Sequence, residues 1–375
     1  MSPPQAPLRV LFDHQCTVQR FGGVSRYVVS LLRDLNHLPG MRAQLAALAH
    51  VNGYLRPDDA LHPLSFRLDW PRKGMRFRPR LAEPLFRLAC AMSRPDLVHE
   101  TSYIPQADSR SRATPVVTTL HDMILERFPA LFERADQQRE ERYKALRRAR
   151  GIICISENTR VDLLSLYPEF EPKLQVVWHG VDQTVSTAAR QADRVRPYLL
   201  FVGVRRGYKN FERLLQAMGQ SPPLKADFDL VCFGGGPFLA GELASIARNG
   251  LGPSQVVHLE GDDEQLAAAY RHARCFVFPS SYEGFGMPLT EAMVQGCPIV
   301  CSRASSFPEI AGEAAAYFDP QDADSMRSAI ESVALDDTRH AQMAGLGRAR
   351  AGLFSWQRCA SETAAVYRQV LAATG

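Results

Sequence analysis

The stretch CFVFPSSYEGFGMPLTEAMVQGCPIV, Cys275 to Val300, decides the fold class. An apolar run of aromatic and β-branched residues (CFVF) ends at PSS. A glycine-rich turn follows at Gly284, Phe285 and Gly286, and Pro288 then stands where a helix starts, a position proline favours. LTEAM continues the helix and PIV opens the next apolar run. Strand, turn, helix and strand make a βα unit, and such units stack into a parallel sheet.

The same pattern extends in both directions. One series of apolar runs reads LRVLFDH, DLVHET, PVVTTLHD, GIICISE and LQVVWHG; a second reads YLLFVGV, DLVCFGGG, QVVHLEG, CFVFPSS, PIVCSRA and AAYFDP. Two series predict an α/β chain with two sheets, one domain over residues 1–185 and another over 196–355. Between them, residues 182–196 (DQTVSTAARQADRVR) are polar and aperiodic and read as a linker and hinge. Three helices are expected near 322–334, 337–350 and 355–372.

Composition narrows the class. The 375 residues, 46% hydrophobic and 22% charged with 25 Gly and 25 Pro, fall in the ordinary globular range. No apolar run reaches the ~18 residues of a membrane span, and MSPPQAPLRV has neither the basic nor the apolar part of a secretory signal. Cys154, Cys232, Cys275 and Cys301 sit in apolar runs and the eight cysteines show no zinc spacing, so a cytoplasmic chain is expected. A net charge of +4 is too small to argue for nucleic acid. From Arg72 to Arg94, however, Arg72, Lys73, Arg76, Arg78, Arg80, Arg87 and Arg94 face one acid, Glu83, with Met75, Phe77, Leu81, Leu85, Phe86 and Leu88 between them. That segment suits an anionic membrane surface or a solvated helix face.

Ligands of open α/β sheets bind beyond the carboxyl ends of strands. Applied to this chain, the rule selects Gly22, Gly23, His121, Arg205, Lys209, the turn from Gly234 to Gly236, and the segment from Glu283 to Glu291. The helix start behind Gly284–Gly286 is a seat for a diphosphate, through backbone N–H groups and the positive end of the helix dipole. Glu283 and Glu291 can accept from vicinal hydroxyls, one from a ribose and the other from a sugar; in the plainer alternative they are a helix cap and a surface acid. Arg205 and Lys209, in FVGVRRGYKNFERLL, supply fixed positive charge for a diphosphate leaving group, Arg205 being preferred to Arg206. His121 can hydrogen-bond a sugar hydroxyl or phosphate, and Gly22 with Gly23 lets a ligand approach closely. His99 has the same placement with less support.

Other chemistries fit less well. Gly234 and Gly236 begin a dinucleotide fingerprint that Leu239 breaks. Asp227-Phe228-Asp229 precedes its strand and Asp322-Ala323-Asp324 resembles a helix cap, so neither is a convincing metal pair. Glu283 and Glu291 would be about 12 Å apart along a helix at ~1.5 Å per residue, with a glycine turn between them, a spacing that disfavours a glycosidase pair without excluding it. A nucleotide-sugar binding protein without transfer activity stays as the alternative from another class.

Taken together, FDHQCTVQRFGGVSRY, TLHD, CISENTRVDLL, VVWHGVD, VGVRRGYKNFERLL, CFGGG, LEGDDEQLAAAYRHA and above all EGFGMPLTE, two glutamates seven residues apart, resemble the family-4 retaining glycosyltransferases. The resemblance implies a GT-B fold of two Rossmann-like domains facing a cleft, with the last helix (356–375) returning to the N-terminal, acceptor-side domain. It implies that Glu283 contacts the donor sugar, Glu291 the ribose, and Arg205 and Lys209 the pyrophosphate. Donor contacts fall on Gly203, Gly284, Phe285, Gly286, Met287, Leu289 and Thr290. His121 is expected against the transferred sugar, and Gly22 and Gly23 near phosphate or acceptor. The activity implied is metal-independent, cofactor-free and configuration-retaining transfer of a hexose or deoxyhexose, with GDP-mannose the first expectation, to a cell-surface glycan such as a lipid-linked O-antigen or exopolysaccharide. Peripheral contact with the inner face of the cytoplasmic membrane would accompany that role.

Overall fold

The computed structural model describes residues 6–373 apart from 19, 49, 68–77, 104–113 and 188–195. The chain forms two compact units, Met1–Gly180 with Trp356–Gly375, and Val181–Ser355.

Unit one contains β1 (Leu8–Phe12), α1 (Gly23–His37), β2 (Met41–Leu45), α2 (Arg78–Ser93), β3 (Leu97–Glu100), β4 (Val116–Leu120), α3 (Ile124–Arg127), α4 (Ala135–Arg148), β5 (Gly151–Cys154), α5 (Glu157–Leu166) and β6 (Leu174–Val176). Its six strands are parallel, in the order β2-β1-β3-β4-β5-β6. Strands β3, β4 and β5 are buried along their whole length, which is why their sequences are continuous apolar runs without alternation. On α1, Tyr27, Val28, Leu31, Leu32 and Leu35 recur with helical spacing and turn inward.

Unit two contains β7 (Tyr198–Val202), α6 (Phe211–Gly219), α7 (Pro222–Asp227), β8 (Asp229–Phe233), α8 (Ala240–Arg248), β9 (Val256–Leu259), α9 (Asp263–His272), β10 (Cys275–Phe278), α10 (Met287–Gln295), β11 (Ile299–Ser302), α11 (Phe307–Ala311), β12 (Ala315–Phe318), α12 (Ala323–Ala334) and α13 (Asp337–Ala351). Its sheet is also parallel, in the order β12-β11-β10-β7-β8-β9. Phe201, Phe211 and Phe276 are at most 1% exposed, and truncating any one of them would cost about 3–5 kcal/mol.

The last helix, α14 (Trp356–Ala372), belongs to unit one. Cys359, Ala360, Ala364, Val366, Tyr367 and Val370 join the core made by β1, α1 and β2. Two glycines make room for it: a Cβ on Gly180 would lie 2.4 Å from the Trp356 nitrogen, and one on Gly151 2.7 Å from Val370 Cγ2.

The expected linker needs correction over its first part. Ser186 is buried, and its N–H donates to Gln295 Oε1 at 2.9 Å while Gln295 Nε2 donates to the Thr184 carbonyl at 2.9 Å. Gln183 Nε2 donates to the carbonyls of Ala351 and Phe354. The backbone of Thr184 and Ser186 and the side chain of Gln183 therefore tie this stretch to unit two. The remainder, 188–195, lies outside the described residues, as do 72–77 of the basic segment. Within α2, Phe86 is fully buried, while Arg87, Leu88 (48%) and Met92 (54%) are exposed.

Candidate functional site

In unit two the strand order reverses between β7 and β10, so the loops leaving these neighbours part in opposite directions and open a crevice. The loop after β7 carries Lys209 and the loop after β10 carries Glu283. The two side chains meet, Lys209 Nζ to Glu283 Oε1 at 2.5 Å, each 14% exposed. The backbone joins the same loops, the Ser281 N–H donating to the Tyr208 carbonyl at 2.7 Å. Lys209 Nζ also lies over the faces of Tyr208 (5.2 Å) and Phe278 (5.6 Å), where ring quadrupoles favour a cation.

A third loop, after β11, holds the turn in place. Ser305 Oγ accepts from the Glu283 N–H at 3.2 Å, and the Ser306 hydroxyl reaches the carbonyls of Glu283 (3.1 Å) and Phe285 (3.0 Å). Ser305 is one of three non-glycine residues with positive φ (54°) among the described residues, a conformation that serine resists and that the loop imposes. Gly286, at φ 90°, is the N-cap of α10 and makes the turn into it.

The structure divides the expected donor contacts. Glu291 sits one turn into α10, half-buried, and the phenol of buried Tyr270 donates to its Oε2 at 3.2 Å. Met287 is half-buried at the helix start. Phe285, Leu289 and Thr290 are at most 2% exposed: Phe285 packs edge-on against Phe354, and the Thr290 hydroxyl donates to the Met287 carbonyl. Their side chains face inward, so the expected donor contact at Phe285 is one of the backbone amide, and Leu289 and Thr290 present no side chain to a ligand at the surface. Pro288 has no N–H and the Leu289 N–H closes onto the Gly286 carbonyl, so an anion at this helix end is left to the amides of the turn.

Arg205 needs the clearest correction. Its side chain is 1% exposed and paired with Glu242, Nε to Oε1 at 3.0 Å. Its other N–H groups donate to the carbonyls of Gly234 (3.0 Å), Gly236 (2.6 Å) and Pro237 (3.2 Å). Three successive glycines, Gly234, Gly235 and Gly236, at φ 74–77° turn these carbonyls inward, and Arg205 collects them. A guanidinium so engaged is not available to a diphosphate; it builds the loop after β8. Gly203 is part of the same packing, since a Cβ on Gly235 would lie 2.5 Å from the Gly203 carbonyl oxygen. Arg206 is exposed.

In unit one the order reverses between β1 and β3. Aromatic rings and imidazoles gather at the carboxyl edge here. His121, directly after β4, is half-buried, and its ring lies edge-on to Tyr27 (5.2 Å) and 6.0 Å from His179. The hydroxyl of Tyr103 accepts the His121 N–H at 2.9 Å and donates to the Thr119 carbonyl at 3.0 Å, fixing the strand end. Arg142 covers Tyr103 from 4.6 Å and donates to the Asp122 carbonyl and to Glu126. Burial lowers the His121 pKa to about 4, with Asp122 raising it and Arg142 lowering it further, so the ring is neutral near pH 7. His99 is a core histidine, held by Tyr367 (2.6 Å) and Thr119 (2.8 Å) and lowered by burial to about 3.

Gly22 is the N-cap of α1 at φ 175°, extended backbone that any residue adopts, and Gly23 is the first residue of that helix. Neither glycine is required by the backbone here.

Sequence reasoning missed Tyr270, Ser305, Ser306, Tyr103 and Glu242. Tyr270 and Glu242 lie within helices, where no strand end marks them; Tyr103 follows β3 and Ser305 and Ser306 follow β11, so the strand-end rule was the signal that could have found these three. Among the described residues no group of three His, Cys, Asp or Glu side chains is arranged to hold a metal ion.

Comparison with known proteins bears on the fold and the family. Residues 21–185 match the model for Glycosyltransferase Family 4, and residues 183–350 the model for Glycosyl transferases group 1. The chain is 28% identical over 281 residues to O-antigen chain mannosyltransferase B of Escherichia coli, covering 71% of this chain and 72% of the relative. Among solved structures, a sucrose-phosphate synthase from Thermosynechococcus elongatus aligns with TM-score 0.76 at 22% identity, over 98% of this chain and 100% of that one. HepE of Anabaena, solved with UDP and glucose, aligns with TM-score 0.70 at 17% identity, over 96% of this chain and 99% of that one. With two consecutive family models spanning residues 21–350 and two parallel six-stranded sheets, the chain belongs to the GT-B glycosyltransferases of the family-4 kind.

Proposed function

We propose that this glycosyltransferase moves a hexose or deoxyhexose, first of all mannose from GDP-mannose, onto a cell-surface glycan such as a lipid-linked O-antigen or exopolysaccharide. The pairing of Lys209 with Glu283 across the β7/β10 crevice carries the proposal. Breaking a sugar–diphosphate bond leaves negative charge on the departing phosphate. The Lys209 ammonium has three N–H donors, and one on Glu283 leaves two for phosphate oxygens. Its attraction grows as the leaving group charges, so it stabilises the transition state more than the ground state. Glu283 keeps its second oxygen for hydroxyls of the transferred sugar, and Glu291, set by Tyr270, takes the vicinal hydroxyls of the ribose. His121 of unit one, neutral near pH 7, serves a sugar hydroxyl.

In this proposal Lys209 and the turn before α10 neutralise the phosphates without a metal ion or other cofactor, and attack comes on the face the diphosphate leaves, retaining the anomeric configuration. The E. coli relative, named as an O-antigen mannosyltransferase, supports the sugar and acceptor class. HepE, solved with UDP and glucose, supports a nucleotide-sugar donor while favouring a different base. Arg87, Leu88 and Met92 on the surface of α2 support peripheral contact with an anionic lipid surface, on the cytoplasmic side where nucleotide sugars are made.

The test incubates the protein with GDP-mannose, UDP-glucose, UDP-galactose, dTDP-rhamnose and ADP-glucose, lipid-linked acceptors and EDTA, and reads product linkage by NMR. Product from GDP-mannose with the donor's configuration kept is the expected result. A strict requirement for a divalent cation, or an inverted product, overturns the mechanism. Donor binding without product over the whole acceptor panel returns the chain to a nucleotide-sugar binding protein.

A further inference from the structure

Phe21 has the highest exposure among the large apolar side chains described, 57%. It stands at the carboxyl edge of unit one's sheet, between β1 and α1 and next to Gly22 and Gly23. Exposed aromatic rings are common, but this one is held. Tyr54 meets it edge-on, with centroids 5.3 Å apart and planes at 74°. Gly53 lies against the ring so closely that a Cβ there would be 2.5 Å from Cε1, and the Gly53 N–H donates to the Arg20 carbonyl at 2.7 Å. The loop behind is anchored in turn: Asn52 Oδ1 accepts the Tyr54 N–H at 2.9 Å, and Arg33 donates to the Tyr54 carbonyl at 2.8 Å and pairs with Asp59 at 2.6 Å. The guanidinium of Arg20, itself exposed, is 5.5 Å from the ring centroid.

A flat apolar surface fixed in water, with the one guanidinium of Arg20 over it and set where α/β sheets take their ligands, fits a particular chemistry. Pyranose rings present a face of C–H groups that meets the negative face of an aromatic ring, while their hydroxyls need donors around the edge. The ring is fixed before the ligand arrives, so little freedom is lost on binding. We propose that Phe21, backed by Gly53 and Tyr54, is a stacking platform for a pyranose ring of the acceptor glycan, with Arg20 serving its hydroxyls. The proposal rests on the transfer reading above and extends it to acceptor recognition.

The test uses full-length Phe21→Ala and Phe21→Trp with mannose oligosaccharides as acceptor probes at saturating donor. Phe21→Ala is expected to raise acceptor KM about tenfold, with kcat, donor KM and melting temperature unchanged, and Phe21→Trp to restore it. A wild type that transfers while Phe21→Ala keeps its acceptor KM overturns the platform. Should the wild type transfer nothing from any donor, the transfer reading fails, and saturation-transfer NMR with the same oligosaccharides judges the platform alone: signal in the wild type and loss in Phe21→Ala sustain it, while equal signals refute it. Loss of binding to phosphatidylcholine–phosphatidylglycerol vesicles in Phe21→Ala with acceptor KM intact would assign the ring to lipid and overturn the proposal.

Discussion

The carboxyl edges of the two sheets invite comparison because the scaffolds beneath them are so alike. Each unit is a parallel sheet of six strands with one reversal of strand order, and each places glycine-bearing loops beyond it. The groups gathered there differ. Unit two brings a lysine and a glutamate to 2.5 Å, with three loops fastened around them. Unit one offers imidazoles made neutral by burial, stacked among Tyr27 and Trp356. The strands determine where loops end and leave the chemistry of the loops open, so one architecture can furnish a charged seat and a neutral surface in the same chain.

Removing the charge from one edge would break that contrast most severely. Lys209→Ala is expected to lower kcat about 10²–10³-fold, the range seen when one charge-stabilising donor is lost, with donor binding less affected. Steady-state kinetics check it, and thermal melting confirms the fold, since Glu283 loses its partner. A variant that turns over at the wild-type rate would remove Lys209 from leaving-group stabilisation.

Putting charge on the other edge sharpens the contrast. His99 and His121 titrate in the native state at about 3 and about 4, and His179 lies well below the ordinary value, all from burial. With native pKa values below the unfolded value of about 6.5, the unfolded chain binds more protons, so stability rises with pH. It is complete above about pH 6.5 and falls as pH drops toward about 4, by on the order of 3 kcal/mol for His121 alone. In unit two, burial lowers the His340 pKa in the same direction. Unit one should therefore melt first on acidification. Trp178 and Trp356 both lie in it, so tryptophan emission should change before hydrogen exchange in β7 and β10 does; simultaneous loss in both units would contradict this.

The smallest effect concerns one phenol. Tyr270→Phe removes its hydrogen bond to Glu291 and should raise donor KM several-fold, about 0.5–1.5 kcal/mol, leaving kcat and melting temperature near wild type. A change in kcat alone would mean that Tyr270 acts through the fold.

What could be read without coordinates followed the sheets closely. Among the described residues, eleven of twelve strands appear as apolar runs, because strands covered on both faces have little room for polar residues. β2 shows no such run: MRAQL carries an exposed Arg42, lies at the edge of the sheet beside β1 with a bridge from Leu45 to Leu61, and is tied by Asn36, which bonds the backbone of Ala43 in both directions. Glu283, Glu291 and Lys209 were legible because they follow strand ends. Arg205 has the same placement and a different task. The direction of its side chain is decided by Glu242, 37 positions away, and by glycines whose carbonyls need a donor. Ser305, Ser306 and Tyr270 support the site across gaps of about twenty residues that no local pattern records.

Unit one is discontinuous in sequence: β1 and α1 precede unit two, and α14, whose Tyr367 holds His99, follows it. On the ribosome, unit two can therefore collapse as a continuous segment while the half that begins first waits, with an apolar face uncovered, until α14 emerges. For that interval the nascent chain carries its greatest aggregation risk, and chaperones have the most reason to attend it.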